Sequence, residues 1–281
     1  AGASVASVAD KLEAEGLISS ASGFVLQARV LGSDTPIQAG EFLLTPAMSQ
    51  GDILAAFQSG DVIRRFVTIP EGMPSILVWE RLMGEELLTG EVPVPPEGSI
   101  LPDTYSFERG QSRKSMVEQM QAAMDKALAE EWAGRGPGIA VDTMREALIL
   151  ASIVEKETGK ADERPMVAGL YSNRVRTGMK LQADPTAIYP ITKGKPLGRR
   201  INSSELTAVN GYNTYTLAGL PEGPITNPGR DSIKAVMNPA TTSALYMVAD
   251  GTGGHWFADT YPEHQANVAK WYAIRRERGE M

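Results

Sequence analysis

The run Val141-Asp142-Thr143-Met144-Arg145-Glu146-Ala147-Leu148-Ile149-Leu150-Ala151-Ser152-Ile153-Val154-Glu155-Lys156-Glu157-Thr158-Gly159 decides how the second half of the chain folds. Asp142 supplies an N-cap and Gly159 a C-terminal stop, so the pattern predicts one helix between them. From Ala147 to Val154 it is apolar on every side, which marks a helix buried all round. The run is too short to cross a bilayer, which takes roughly 20 apolar residues. Charge returns only in the last turn, as Glu155, Lys156 and Glu157. Carboxylates at that end meet the partial negative charge of the helix C-terminus. Burial disfavours the ionised form too, so a carboxyl group held there can keep its proton near neutral pH and act as a general acid. The plain alternative is two solvated Glu at a frayed helix end.

Helical residues two apart point about 200° away from each other, so only one of the pair can face a given cleft. Glu155 lies on the stripe of Ala147, Leu148, Ala151 and Ser152, whose small residues leave room for a substrate; Glu157 follows the bulkier Leu150, Ile153 and Val154. Glu155 is therefore the expected acid/base residue. Glu157 is expected to be an ion-pair partner or an orienting neighbour.

Downstream, a second helical stretch, Met166 to Arg174, stops at Gly178. The segment Met179 to Tyr189 follows, in which Pro185 forces Asp184 toward extended geometry; a loop displaying Gln182, Asp184, Thr186 and Tyr189 is expected. After the block Tyr212-Asn213-Thr214-Tyr215 comes the rigid run Gly219 to Gly229, a poor core element and a good cleft wall. A strand is expected over Ala244 to Ala249. His255 follows a Gly-rich lead-in that suggests a loop, and His264 falls at the polar, exposed start of the last helix. Their spacing is not the same-face spacing of metal-binding helices, so no metal is expected.

Upstream, a phrase occurs twice. Gly2-Ala3-Ser4 leads into Val5, Val8, Ala9, Leu12 and Leu17, and Gly72-Met73-Pro74 into Ile76, Val78, Trp79, Leu82 and Leu87. Each is followed by a Gly-led candidate strand, Gly40 to Leu44 and Gly98 to Leu101, and by a helix, Met48 to Gly60 and Ser112 to Trp132. A strand over Val62 to Ile69 stops at Pro70. The front half is thus read as a duplication of small modules that loosely resemble LysM domains, serving either as spacers or as glycan binders. The fold class expected is α+β, with this duplicated region over 1–110 and a mainly helical region with a few strands over 111–281.

The 281 residues are 42% hydrophobic and 22% charged, enough to bury a substantial core. A formal charge of −7 argues against a general nucleic-acid binder, which needs clustered Lys and Arg. The chain has no Cys, which excludes disulfides, thiolate nucleophiles and Cys-based zinc sites.

Five blocks, in this order, resemble the MltG (YceG-like) family of endolytic murein transglycosylases. They are Ala151 to Thr158, Leu181 to Tyr189, Tyr212 to Tyr215, the run Gly219-Leu220-Pro221-Glu222-Gly223-Pro224-Ile225, and Asp250-Gly251-Thr252-Gly253-Gly254-His255-Trp256-Phe257. Thr68-Ile69-Pro70-Glu71-Gly72 and Leu101-Pro102-Asp103-Thr104-Tyr105 fit too, although Ser99-Ile100 stands where bulkier residues are expected. Several long motifs in order are far more specific than one short pattern. The resemblance runs from about Gly2 to Tyr272. It implies non-hydrolytic cleavage of the MurNAc–GlcNAc bond inside peptidoglycan strands to give 1,6-anhydro ends, with the essential Glu at Glu155 and no cofactor. One carboxyl group suffices for that chemistry, because no second one need hold a water. Gln182, Asp184, Thr186, Tyr189, Tyr212, Asn213, Tyr215 and His255 become candidate sugar contacts. The resemblance further implies a membrane anchor ahead of this chain, the periplasmic face of the bacterial inner membrane, a part in ending strand growth, and synthase, divisome or elongasome partners.

Two other readings compete. In one, the chain is a non-catalytic peptidoglycan-binding scaffold and the duplicated modules carry the function. In the other it is a pyridoxal-dependent lyase, which would need a Schiff-base Lys beside a phosphate loop. Lys156 is flanked by two acids with no such loop adjacent, which argues against the second.

Overall fold

The computed structural model describes residues 4–30, 37, 38, 40–60 and 62–280. These fall into two units. The first comprises the chain as far as Val67 with Glu86–Thr89 and Ser106–Ser112. Its helices are α1 (Val5–Ala14), α2 (Ala21–Val30) and α3 (Gln50–Ser59). Ser4 caps α1 by accepting from the Ser7 N–H, and Ser49 with Asp52 forms a reciprocal box at α3. Ala9, Leu12, Phe24, Ile53 and Phe57 close a small core, in which Phe57 meets Phe24 and Phe42 edge-on. Glu41 pairs with Arg65 at 2.8 Å and with Arg109 at 3.2 Å.

Both repeated phrases start helices, α1 behind Ser4 and α4 (Ser75–Met83) behind Pro74, while Gly2 and Ala3 lie outside the described residues. The strands expected after them do not form. Over Gly40 to Leu44 the Glu41 carbonyl accepts one bond from Ile63 N–H, and Leu43 is exposed. At Gly98 to Leu101 the chain turns at Gly98 (φ 78°), and Ile100 N–H donates to the Asn227 side chain rather than to a ladder. Helix α2 also stands in the first copy without a counterpart in the second. The strand expected over Val62 to Ile69 contracts to β1 (Arg65–Thr68), paired with β2 (Thr104–Phe107).

The second unit comprises Thr68–Glu85, Gly90–Tyr105 and the chain from Arg113 onward. Besides α4 it holds α5 (Arg113–Ala133), α6 (Met144–Glu157), α7 (Arg164–Arg176), α8 (Asp184–Thr192), α9 (Ser203–Leu206) and α10 (Arg230–Met237). The hairpin β3 (Tyr246–Ala249) and β4 (His255–Ala258) follows, and α11 (Tyr261–Glu277) ends the chain. The hairpin is antiparallel, with Tyr246 opposite Ala258 and Ala249 opposite His255. The chain is thus α+β and mainly helical.

Helix α6 is the axis of this unit, packed against α5, α7, α8 and α10. Ile149, Leu150, Ile153 and Val154 are each 4% exposed or less, and burial of such side chains stabilises by about 1.5–3 kcal/mol apiece. Its N-cap is Thr143, not Asp142: Thr143 Oγ1 accepts from Glu146 N–H at 3.1 Å, and Glu146 accepts from Thr143 N–H at 3.0 Å. Thr158 rather than Gly159 closes the other end.

Candidate active site

The two carboxylates at the end of α6 enter different surroundings. Glu155 Oε2 accepts from the Gly229 N–H at 3.0 Å and the Ser232 hydroxyl at 2.7 Å. Gly229 is the N-cap of α10, so this carboxylate meets the positive end of a helix dipole, which offsets its poor position on α6. Arg164 Nη2 lies 3.8 Å from Glu155 Oε1 and donates to Glu71 at 2.8 Å. The side chain of Glu155 is 5% exposed. The small residues of its stripe make room for protein, not for substrate. Ile225 N–H donates to Ser152 Oγ at 3.1 Å, and residues 223–229 lie buried. The later part of the Pro/Gly run expected as a cleft wall, residues 223–229, is therefore interior, stitched in through Asn227, which accepts from Ile100 N–H and donates to the Met73 carbonyl, while Glu222 is exposed.

Glu157 lines a pocket of about 240 Å³ with Tyr171, Arg174, Gln182, Asp184, Tyr215, the β3 residues Met247 to Ala249, and His255. Its Oε1 is buried with no protein partner. Burial first, and then the negative charge of Asp184, push the carboxyl up from 4.5 to about 7, against a hydrogen bond from Tyr171 and the charge of Arg174. Arg174 is itself committed to carbonyl oxygens, those of Leu181 and Leu245, both at 2.6 Å. Tyr215 donates its hydroxyl to Asp184. Gln182 stands at φ 50°, a left-handed value rare without glycine, and its N–H donates to the Thr214 carbonyl at 3.2 Å.

Of the sugar contacts expected from sequence, Gln182, Asp184, Tyr215 and His255 meet here, around Glu157 and not Glu155. The others lie elsewhere. Thr186 is fully buried and bonded to the Ala183 carbonyl and Thr214. Asn213 is fully buried, its amide donating to the carbonyls of Glu205, Leu206 and Ala208. Tyr189 donates to Glu97 and packs on Tyr212, and it lines a separate groove of about 430 Å³ with Met73, Leu77, Lys156 and Leu197.

Three local expectations change with the geometry. Asp184 opens α8 instead of sitting in a loop, because Pro185 falls in the first helical turn, where its missing N–H costs nothing. His255 is the first residue of β4. His264 is half-buried, stacked on Tyr246 at 5.3 Å. Tyr171, set on α7 among buried residues, has as its sequence signal only its spacing three residues before Arg174. Among the described residues no group of three or more His, Cys, Asp or Glu could hold a metal ion, and no helix is long and apolar enough to cross a membrane.

The YceG-like family model matches residues 1–270. Endolytic murein transglycosylases of two Streptococcus pneumoniae strains are each 30% identical over 96% of this chain, which spans 57% of their length. The Bacillus subtilis endolytic murein transglycosylase is 25% identical over 99% of this chain and 84% of its own. A solved YceG-like protein of Listeria monocytogenes superposes with a TM-score of 0.60 at 27% identity, covering 95% of this chain and 96% of that one. With its family blocks present in order and the match extending over nearly all of its length, the chain belongs to the YceG-like family.

Proposed function

We propose that this chain cleaves glycan strands of peptidoglycan as an endolytic lytic transglycosylase, with Glu157 as general acid and then base. The reaction follows the named activity of its relatives. One observation carries the choice of carboxylate: Glu157 sits in the polar pocket among Gln182, Asp184, Tyr215 and His255, with its carboxyl held up to about 7. This reading exchanges the parts given to the two carboxylates by the sequence. Glu155, bonded to Gly229 and Ser232 and facing Arg164, holds α6, α7 and α10 in place.

In the reaction the protonated Glu157 gives its proton to the glycosidic oxygen as the bond to the muramoyl C1 breaks. The muramoyl C6 hydroxyl attacks C1, and its proton passes to the Glu157 carboxylate, which restores the acid. No water enters. Tyr215 and Gln182 supply an aromatic ring and an amide for the sugar and its N-acetyl group, and Asp184 keeps the acid protonated by its charge.

The front region over 1–110 is proposed to contact glycan in the manner of LysM modules, although its two halves do not share one set of elements, ahead of a catalytic region over 111–281. Placement at the periplasmic face of the inner membrane through a preceding anchor, a part in ending strand growth, and association with synthases belong to the same proposal. Mass spectrometry of purified glycan strands incubated with the protein tests the reaction. Internal fragments ending in 1,6-anhydromuramic acid are expected. Reducing ends would mean a hydrolase, and intact strands would favour the scaffold reading.

A further inference from the structure

Glu163, the N-cap residue of α7, reaches the pocket around Glu157 through His255. Its Oε1 accepts the main-chain N–H of His255 at 3.0 Å, and its Oε2 lies 3.0 Å from His255 Nδ1. Thr158 Oγ1 donates to the same Oε2 at 3.3 Å. Both side chains are 16% exposed. Two attachments to one residue, main chain and ring, fix where β4 begins and which way the imidazole faces. The sequence around it is shaped for this contact. A Cβ on Gly254 would fall 2.2 Å from Glu163 Oε1, so a side chain there would push the carboxylate away. Lys160, whose Nζ lies 2.6 Å from that same Cβ position, and Asp250 border the pair, while Glu157, Asp184 and Arg174 share the pocket with the ring.

A neutral imidazole that gives its Nδ1 proton to a carboxylate carries a bare Nε2, a hydrogen-bond acceptor. His255 lines the pocket around Glu157, and its bonds to Glu163 are made through the main-chain N–H and Nδ1, on the other side of the ring from Nε2. We propose that Glu163 is a positioning residue that holds His255 as the Nδ1–H tautomer, so that Nε2 accepts a hydrogen bond from a sugar hydroxyl of the strand bound beside Glu157. The sugar half of this statement rests on the glycan-cleaving reading; the tautomer half does not.

The chain has two histidines, so nitrogen–proton correlation NMR of the tag-free protein can assign each ring, with His264→Gln identifying the other. At pH 8.5 the wild type is expected to show His255 with a protonated Nδ1 and a bare Nε2, an observation that needs no destabilising variant. A protonated Nε2 there overturns the proposal. Glu163→Ala and Gly254→Ala should both shift His255 toward the Nε2–H form, and an unchanged tautomer in both would remove Glu163 from the account. In the Glu157→Gln background, adding glycan strands stripped of their peptides should move the His255 Nε2 resonance. A fixed resonance with strands bound contradicts the acceptor role. In turnover, Glu163→Ala should raise KM about tenfold, the loss of one such hydrogen bond, with kcat within about threefold. It should have no further effect once His255→Gln supplies an acceptor independent of Glu163, whereas additive losses would mean a merely structural residue. Absence of cleavage by the wild type sinks the glycan-cleaving reading and leaves the tautomer result standing.

Discussion

Replacing Glu157 by glutamine should stabilise the fold, and should do so only where the carboxyl would otherwise ionise. Burial and Asp184 raise this group from 4.5 to about 7 in the folded chain. Below about pH 4.5 it is protonated in both states and contributes no pH-dependent term. Between 4.5 and 7 the unfolded chain loses its proton while the folded chain keeps it, so stability falls as pH rises; above 7 both forms are ionised and the loss is complete. A pKa unit is worth about 1.4 kcal/mol, so the shift amounts to about 3 kcal/mol, of which roughly 2.5 kcal/mol accrues between pH 5 and pH 8. Urea unfolding of wild type and Glu157→Gln at both pH values reads it directly. The difference in stability, variant minus wild type, should grow by about 2 to 3 kcal/mol from pH 5 to pH 8, other titrating groups cancelling in the comparison. A difference that stays flat with pH, or moves the other way, would refute the argument that Glu157 is held protonated by its surroundings.

The groups around Glu157 should move the pH dependence of cleavage in opposite directions. Tyr171→Phe removes a hydrogen bond that favours the carboxylate, so the alkaline loss of activity should shift to higher pH; Asp184→Asn removes a charge that disfavours it, so the loss should shift to lower pH. A pH–rate series on each variant checks both signs. Glu155→Gln weakens a buried carboxylate bonded to Gly229 and Ser232 and leaves Arg164 without that negative charge; a stability loss of about 2–4 kcal/mol is expected by thermal or urea melting. Gly169→Ala should cost about 1–3 kcal/mol by the same measurement, because its Cβ would lie 2.5 Å from the Ala240 carbonyl oxygen against the face of α7.

Helices were the legible part of the sequence. The apolar run Ala147 to Val154 and the Ser4 cap each state their own structure through period and end chemistry, which are local properties. Strands were less so. Gly40 to Leu44 and Gly98 to Leu101 have suitable residues, but pairing depends on a partner that the local pattern does not reveal, and at Ile100 the Asn227 side chain takes the place of one. The pocket around Glu157 is legible as a set of residues rather than as an arrangement. Gln182, Asp184, Tyr215 and His255 are all candidates in the sequence, yet which of Glu155 and Glu157 shares a pocket with them depends on what fills the space over Ala151 and Ser152. Small residues on a helix signal close approach of something; here it is the buried stretch 223–229 through the bond from Ile225 to Ser152. Likewise, the acid at the unfavourable end of α6 has its compensation in the start of α10, some seventy residues later in the chain.

The most direct test is the initial rate of 1,6-anhydro end formation on purified glycan strands by wild type, Glu157→Gln and Glu155→Gln, each scaled to its folded fraction. Removal of a general acid costs about 10²–10⁴-fold. A loss of that size is expected for Glu157→Gln alone, with folded Glu155→Gln within about tenfold of wild type. Full activity in Glu157→Gln together with abolished activity in well-folded Glu155→Gln would contradict it.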